Sequence, residues 1–189
     1  MPKIKNLTKS FSSFTVLDSF SAEIEKGQVV ALVSPSGKGK TTLLRILAGL
    51  DKDFSGEAED IGSVSYCPQD ISLFPWYSAE KNLTVVLGDS SEAKEKINTA
   101  IDIFGLTEAK DKKPHELSGG MCQRVAIIRA WLASSDTVLL DEPFKGLDKE
   151  TKSAVISYLK ETKSKDRTVI FSTHNEDEIS LFADSVLYL

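Results

Sequence analysis

The sequence predicts an α/β protein with a mainly parallel core sheet and an inserted helical segment. Short apolar runs, VVALV at residues 29–33, VLL at 138–140 and TVIF at 168–171, read as strands buried on both faces. Segments of helical spacing alternate with such strands near both ends of the chain, as a parallel sheet requires. From residue 78 to residue 131 the pattern is helical alone, which marks a subdomain set into the chain. The expected organisation is a single domain over residues 1–189. Residues 1–70 and 132–189 form its core, and residues 71–131 its helical subdomain.

The elements follow in order. Residues 4–10 and 18–24 are strand-like, the second alternating Phe20, Ala22 and Ile24. Glu25-Lys26-Gly27-Gln28 is a turn, followed by the strand at 29–33 and a glycine-bearing loop. A helix is expected from Lys40 to Ala48, ended by Gly49, and then a strand at 63–69. Helices are predicted over 78–87, 91–104 and 119–133. The last third gives strand 137–143, helix 149–162, strand 168–173, helix 175–182 and a closing strand, SVLYL, and no further C-terminal domain is expected.

Composition excludes several classes. The chain has 189 residues, 41% hydrophobic and 27% charged, with a formal net charge of -5. This apolar content suffices for a core and is too high for a disordered chain. The acidic balance argues against a general nucleic-acid binder. No apolar run approaches the roughly 18 residues needed to span a bilayer, and MPKIKNLTKS lacks the apolar centre of a signal peptide. The two cysteines, Cys67 and Cys122, have no metal-ligand spacing and read as reduced thiols. A cytosolic protein is expected, held by a partner if it works at a membrane.

Ser36-Gly37-Lys38-Gly39-Lys40-Thr41-Thr42 carries the parts of a phosphate-binding loop. Glycines let backbone N–H groups converge on phosphate oxygens, and the helix that starts there adds its positive end. Lys40 can reach the β- and γ-phosphates, and the Thr41 hydroxyl can ligate Mg²⁺. Ser34 stands where the pattern G-x-x-x-x-G-K-[ST] opens with glycine. If that position needs a positive φ, the serine strains the loop by roughly 1–3 kcal/mol; if not, the change is nearly silent. Further on, VLL delivers Asp141 to a strand end, where it can hold the Mg²⁺ hydration shell. Glu142, next in sequence, can polarise an attacking water. The plainer reading, a surface carboxylate pair after a buried strand, loses weight because a phosphate loop precedes it. LSGGMCQRVAIIRA offers a second anion site at a helix start: Ser118 is the cap, and Gly119 and Gly120 leave N–H groups accessible.

With LSGG-x-x-QR in place, the chain resembles the ATP-binding subunit of an ABC transporter over essentially its full length. The other marks of that family occur in order. Gln69 in YCPQD matches the glutamine loop, Asp148 in FKGLD the aspartate loop, His174 in STHNEDE the switch histidine, and Phe11 in TKSF the aromatic that stacks on adenine. The resemblance implies a P-loop NTPase core with antiparallel strands at its N-terminus. It also implies two copies paired head to tail around two ATP molecules. Each ATP would be held by the Lys40 loop of one copy and capped by Ser118-Gly119-Gly120 of the other. Glu142 would activate water, His174 contact the γ-phosphate, Gln69 sense metal and permease, and Asp148 lie across the dimer seam. ATP and Mg²⁺ are the implied cofactors. A transmembrane permease and a solute-binding protein are the implied partners, with the chain peripheral on the inner face of the cell membrane.

SLFPWYSAEKNL, residues 72–83, is most similar to the nitrate, sulfonate and taurine importers, where this region receives the permease. Phe74 and Trp76 are then contact residues, or else core of the helical subdomain. Several positions depart from the family pattern: Ser34, Lys38 at a position usually small and neutral, Cys122 where a basic residue is frequent, and Asn175 where aspartate is usual. Lys38 attracts phosphate or the signature loop of the facing copy, or else points to water. Two other classes compete. A non-transport ABC ATPase of DNA repair would split the domain with long coiled coils, and only about fifty residues without sustained heptads separate Gln69 from Leu117; translation types usually carry two such domains. A non-hydrolysing regulatory subunit is disfavoured because both Glu142 and His174 are present.

Overall fold

The computed structural model describes every residue except Ser13 and Ser36. Along the described chain the elements are β1 (Lys3–Phe11), β2 (Phe14–Glu23), β3 (Val29–Val33), α1 (Lys40–Leu47), β4 (Ser55–Glu59), β5 (Val64–Cys67), α2 (Ala79–Leu87), α3 (Ser91–Ile103), α4 (Gly119–Leu132), β6 (Thr137–Asp141), α5 (Lys149–Thr162), β7 (Thr168–Ser172), α6 (Glu176–Phe182) and β8 (Ser185–Tyr188). Five strands form a parallel sheet in the order β5-β6-β7-β3-β8, and three form an antiparallel sheet in the order β2-β1-β4. This is the P-loop type of α/β fold that the sequence predicts.

β4 is the strand the sequence reading lacks. Its residues, SGEAE, are almost all exposed and show no apolar alternation, so only pairing with β1 makes it a strand. Lys5 of β1 bridges to Glu57 and Glu59 across that pair.

The chain divides into two compact units. One comprises Met1–Gln69, Ser135–Glu142 and Ser164–Leu189; the other comprises Asp70–Ser134 and Pro143–Lys163. The first unit holds both sheets, α1 and α6. Its apolar core joins Leu43, Leu44, Ile46 and Leu47 of α1 to Ile4, Leu7 and Leu17 of the antiparallel sheet and to Val30, Leu32, Leu139 and Ile170 of the parallel one. Full burial of each such side chain contributes about 1.5–3 kcal/mol. Packing of this kind, rather than intrinsic propensity, holds a helix of only 8 residues.

The second unit is helical and takes in α5, whereas the sequence reading confined the helical part to residues 71–131. The reason is where α5 spends its apolar face. Tyr158 packs edge-on against Phe104, with ring centroids 5.7 Å apart. At its C-terminal end the Trp131 indole donates to Thr162 Oγ1 at 2.9 Å. Among the described residues no helix is long and apolar enough to cross a membrane.

Candidate functional site

β3 is buried nearly throughout and ends at the glycine-bearing loop. Ser34 is buried, and its φ is not positive, so the serine carries no left-handed strain. Its hydroxyl donates to the Pro35 carbonyl at 3.2 Å. What the loop uses is its backbone: Lys40 Nζ donates to Ser34 O at 2.7 Å and to Pro35 O at 3.4 Å. These two bonds hold the ammonium across the loop and leave the third of its N–H donors for an anion.

Gly39 adopts φ 93°, and a Cβ there would lie 3.0 Å from both Leu17 Cδ2 and Val16 O. Among the described residues no side chain caps α1, which leaves its first-turn N–H groups, including those of Thr41 and Thr42, for phosphate oxygens. Gly37 has φ 78° with open space where a Cβ would stand. Lys38 is exposed, which favours its pointing to water. Ser36 lies outside the described residues.

The neighbouring strands deliver the other groups to the same edge of the sheet. β5, β6, β7 and β3 are adjacent and parallel, so Gln69, Asp141 with Glu142, His174 and the loop all follow the C-terminal ends of neighbouring strands. Asp141 is buried, and its Oδ1 accepts from the Ser172 hydroxyl at 2.6 Å. Its Oδ2 is buried with no hydrogen-bond partner among the described residues. An orphaned carboxylate oxygen costs free energy unless a cation or its water shell takes it up, so this donor set fits Mg²⁺. Burial, reinforced by the charge of Asp141, holds the nearby Tyr66 phenol well above the ordinary tyrosine pKa.

Glu142 sits in the left-handed region, φ 46°, a conformation that costs a non-glycine residue on the order of 1–3 kcal/mol. Its N–H donates to Ser172 Oγ at 2.8 Å, and its Oε2 accepts from Gln69 Nε2 at 3.3 Å. His174 Nδ1 stands 3.8 Å from Glu142 Oε1, too far for a hydrogen bond and close enough to pair if the imidazole is protonated. Asn175 caps α6, its Oδ1 accepting from the N–H groups of Asp177 and Glu178. The asparagine therefore does the cap's work as well as aspartate would.

Phe11, at the end of β1, is exposed, with the Lys9 ammonium 4.9 Å from its ring centroid. Lys9 in turn pairs with Asp51 and Asp53, so the ring is backed by a fixed cation and keeps an accessible surface.

In the helical unit, Ser118 caps α4 by accepting from Met121 N at 3.2 Å. A Cβ at Gly119 or Gly120 would meet nothing within 4 Å, so neither glycine is demanded by this chain's own packing. Cys122 is half-buried and donates to Pro114 O at 3.5 Å. Asp148 caps α5, accepting from Thr151 N at 2.9 Å and from Thr151 Oγ1 at 2.7 Å. Trp76 is 64% exposed and Phe74 38%, which removes Trp76 from the core. Their rings cluster with Tyr77 at centroid distances of 5.7–6.2 Å.

A family model described as ABC transporter matches residues 17–145. The chain belongs to the ABC transporter family. It is 41% identical, over 99% of its length and 76% of the relative's, to an aliphatic sulfonates import ATP-binding protein, SsuB 2, of Mesorhizobium japonicum. It is 36% identical, over 98% of its length and 86% of the relative's, to a probable sulfate/thiosulfate import ATP-binding protein of Chlorella vulgaris. Among solved structures it superimposes with TM-score 0.88 on a dimeric ATP-binding cassette in a post-hydrolysis state bound to ADP and Pi. That match has 27% identity and covers 100% of this chain and 94% of the other.

Two groups in this ABC chain escape sequence reasoning. Ser172 ties Asp141 to the Glu142 backbone, yet a serine closing a buried strand carries no motif of its own. Asn82, fully buried in α2, accepts from Phe74 N and shares its two amide N–H donors among the carbonyls of Phe74, Tyr77 and Ser78, which fixes the turn that presents Trp76. A polar residue on the apolar side of a predicted helix was the available signal for it.

Proposed function

We propose that this chain binds and hydrolyses ATP to drive a solute importer, working as a head-to-tail homodimer on a transmembrane permease. The observation that carries the reading is the convergence of Gln69, Asp141, Glu142, His174 and the Lys40 loop at one edge of one sheet. The import names of the sulfonate and sulfate relatives support the transport class; a solute-binding protein in the complete importer and a place for this subunit at the inner face of the membrane complete the proposal. The accessible glycines of the second anion site support the dimer, because among the described residues nothing within 4 Å would oppose a side chain at either. Nucleic acid is not among the proposed partners.

Lys40 and the first-turn N–H groups of α1 hold the β- and γ-phosphates, while Phe11 stacks on adenine. Mg²⁺, held through Thr41, Asp141 and Gln69, would neutralise charge building on the phosphate oxygens. Glu142 accepts a proton from the attacking water as its oxygen bonds to the γ-phosphorus and the bond to ADP breaks. His174 contacts the γ-phosphate. In the dimer, Ser118, Gly119 and Gly120 cap that phosphate from the facing copy, and Asp148 lies at the seam.

Glu142→Gln keeps size and removes basicity. It should lower turnover by about 10²-fold or more while preserving ATP binding, so that a dimer accumulates with ATP. Adding Ser118→Arg should abolish that dimer in sedimentation, since a bulky cation replaces the cap. Hydrolysis by Glu142→Gln at the parental rate would sink the assignment.

A further inference from the structure

We infer that Ser172 is a positioning residue of the ATPase site: its one hydroxyl sets both the free oxygen of Asp141 and the backbone turn that aims Glu142. The inference rests on the ATPase reading above and assigns a function to a residue outside the phosphate loop, the signature and the switch histidine.

Ser172 closes β7, is fully buried, and stands in register with Asp141, the last residue of β6. A hydroxyl has one proton to give and lone pairs to receive. Here the proton goes to Asp141 Oδ1 at 2.6 Å, and a lone pair takes the Glu142 N–H at 2.8 Å. Each bond has a consequence. Occupying Oδ1 fixes the rotamer of the carboxylate and leaves Oδ2 as its oxygen without a partner among the described residues, the one suited to a metal's water shell. Binding the Glu142 N–H supplies a partner just where that residue leaves the strand with φ 46°. A buried serine more often satisfies itself on backbone nearby in sequence. This one reaches across to the neighbouring strand and contacts both members of the acidic pair, 31 and 30 residues away. The charge on the metal-holding group and the backbone under the base are thus set by one atom.

Thr and Val at position 172 have nearly the same shape and differ by the hydroxyl, so comparing them isolates it. Assays are run well below the lower of the two melting midpoints. Ser172→Val should lower kcat for ATP by about tenfold or more, with KM shifted less than about threefold. Binding of a fluorescent ATP analogue without Mg²⁺ should be unchanged. The Mg²⁺ concentration that half-saturates the binding gain should rise by about tenfold. Ser172→Thr should stay near the parent on each measure. If added bulk prevents folding of Val and Thr alike, Ser172→Ala should reproduce the Val pattern, since it removes the hydroxyl and adds no volume. Val or Ala variants that keep both the parental kcat and the parental Mg²⁺ dependence would overturn the inference. Failure of the unsubstituted chain to hydrolyse ATP would overturn the ATPase reading and the inference with it, a result distinct from an active parent and an indifferent Val variant.

Discussion

Lys40 reaches back across its loop to the carbonyl oxygens of Ser34 and Pro35, so the serine that stands in for glycine acts through its main chain. Ser34→Gly should therefore change ATP affinity by less than about tenfold, 1.4 kcal/mol. Lys40→Ala should cost far more, because on the proposed reading it removes the charge that holds the β- and γ-phosphates. Titration of both variants with a fluorescent ATP analogue checks the ranking, and equal losses would refute it. At this scale the sequence was most legible in local placement: Lys40 at the start of α1, Asp141 at the end of β6 and Ser118 as the cap of α4. It was silent on Ser172, because pairing across parallel strands depends on a register that only the assembled sheet sets. Nor could it decide between strain and silence at Ser34, which is a question of one dihedral angle.

Helix α5 begins at a charged cap rather than a neutral one. Two hydrogen bonds, from the N–H and then the hydroxyl of Thr151, hold the Asp148 carboxyl below the usual aspartate range. A pKa lowered by folding means the cap's charge contributes stability above the unfolded value, about 3.9, and that this contribution fades as pH falls through the folded pKa. Asp148→Ala should thus lower the melting temperature at pH 7, with a gap from the parent that narrows by about pH 3. Asp148→Asn, which keeps an acceptor oxygen, should retain most of the stability at pH 7. A constant gap for Asp148→Ala across this range would refute the charged-cap account. The long periodic helices, α3 and α5, were legible in the sequence to within a residue. β4 was not, since its strand character comes from β1 rather than from its own side chains.

On the proposed importer reading, the exposed ring cluster of Phe74, Trp76 and Tyr77 is the apolar contact offered to the permease. Asn82 spends its entire side chain holding the turn that presents Trp76. Because Trp76 is largely exposed, Trp76→Ala should weaken co-purification with the permease and leave the isolated chain's melting temperature within about 2 °C of the parent, as surface substitutions do. A large melting shift would show that the indole holds the turn together instead of serving a partner.

The strand order carries one more consequence, for synthesis on the ribosome. β3, which leads into the phosphate loop, is made well before both of its sheet neighbours, β7 (Thr168–Ser172) and β8 (Ser185–Tyr188). A nascent chain that stops before Thr168 leaves β3 with neither neighbour, whatever else has folded. The nucleotide site is therefore completed only after β7 and β8 have been made. Until then the apolar run VVALV is an unpaired strand, exposed to association with other chains.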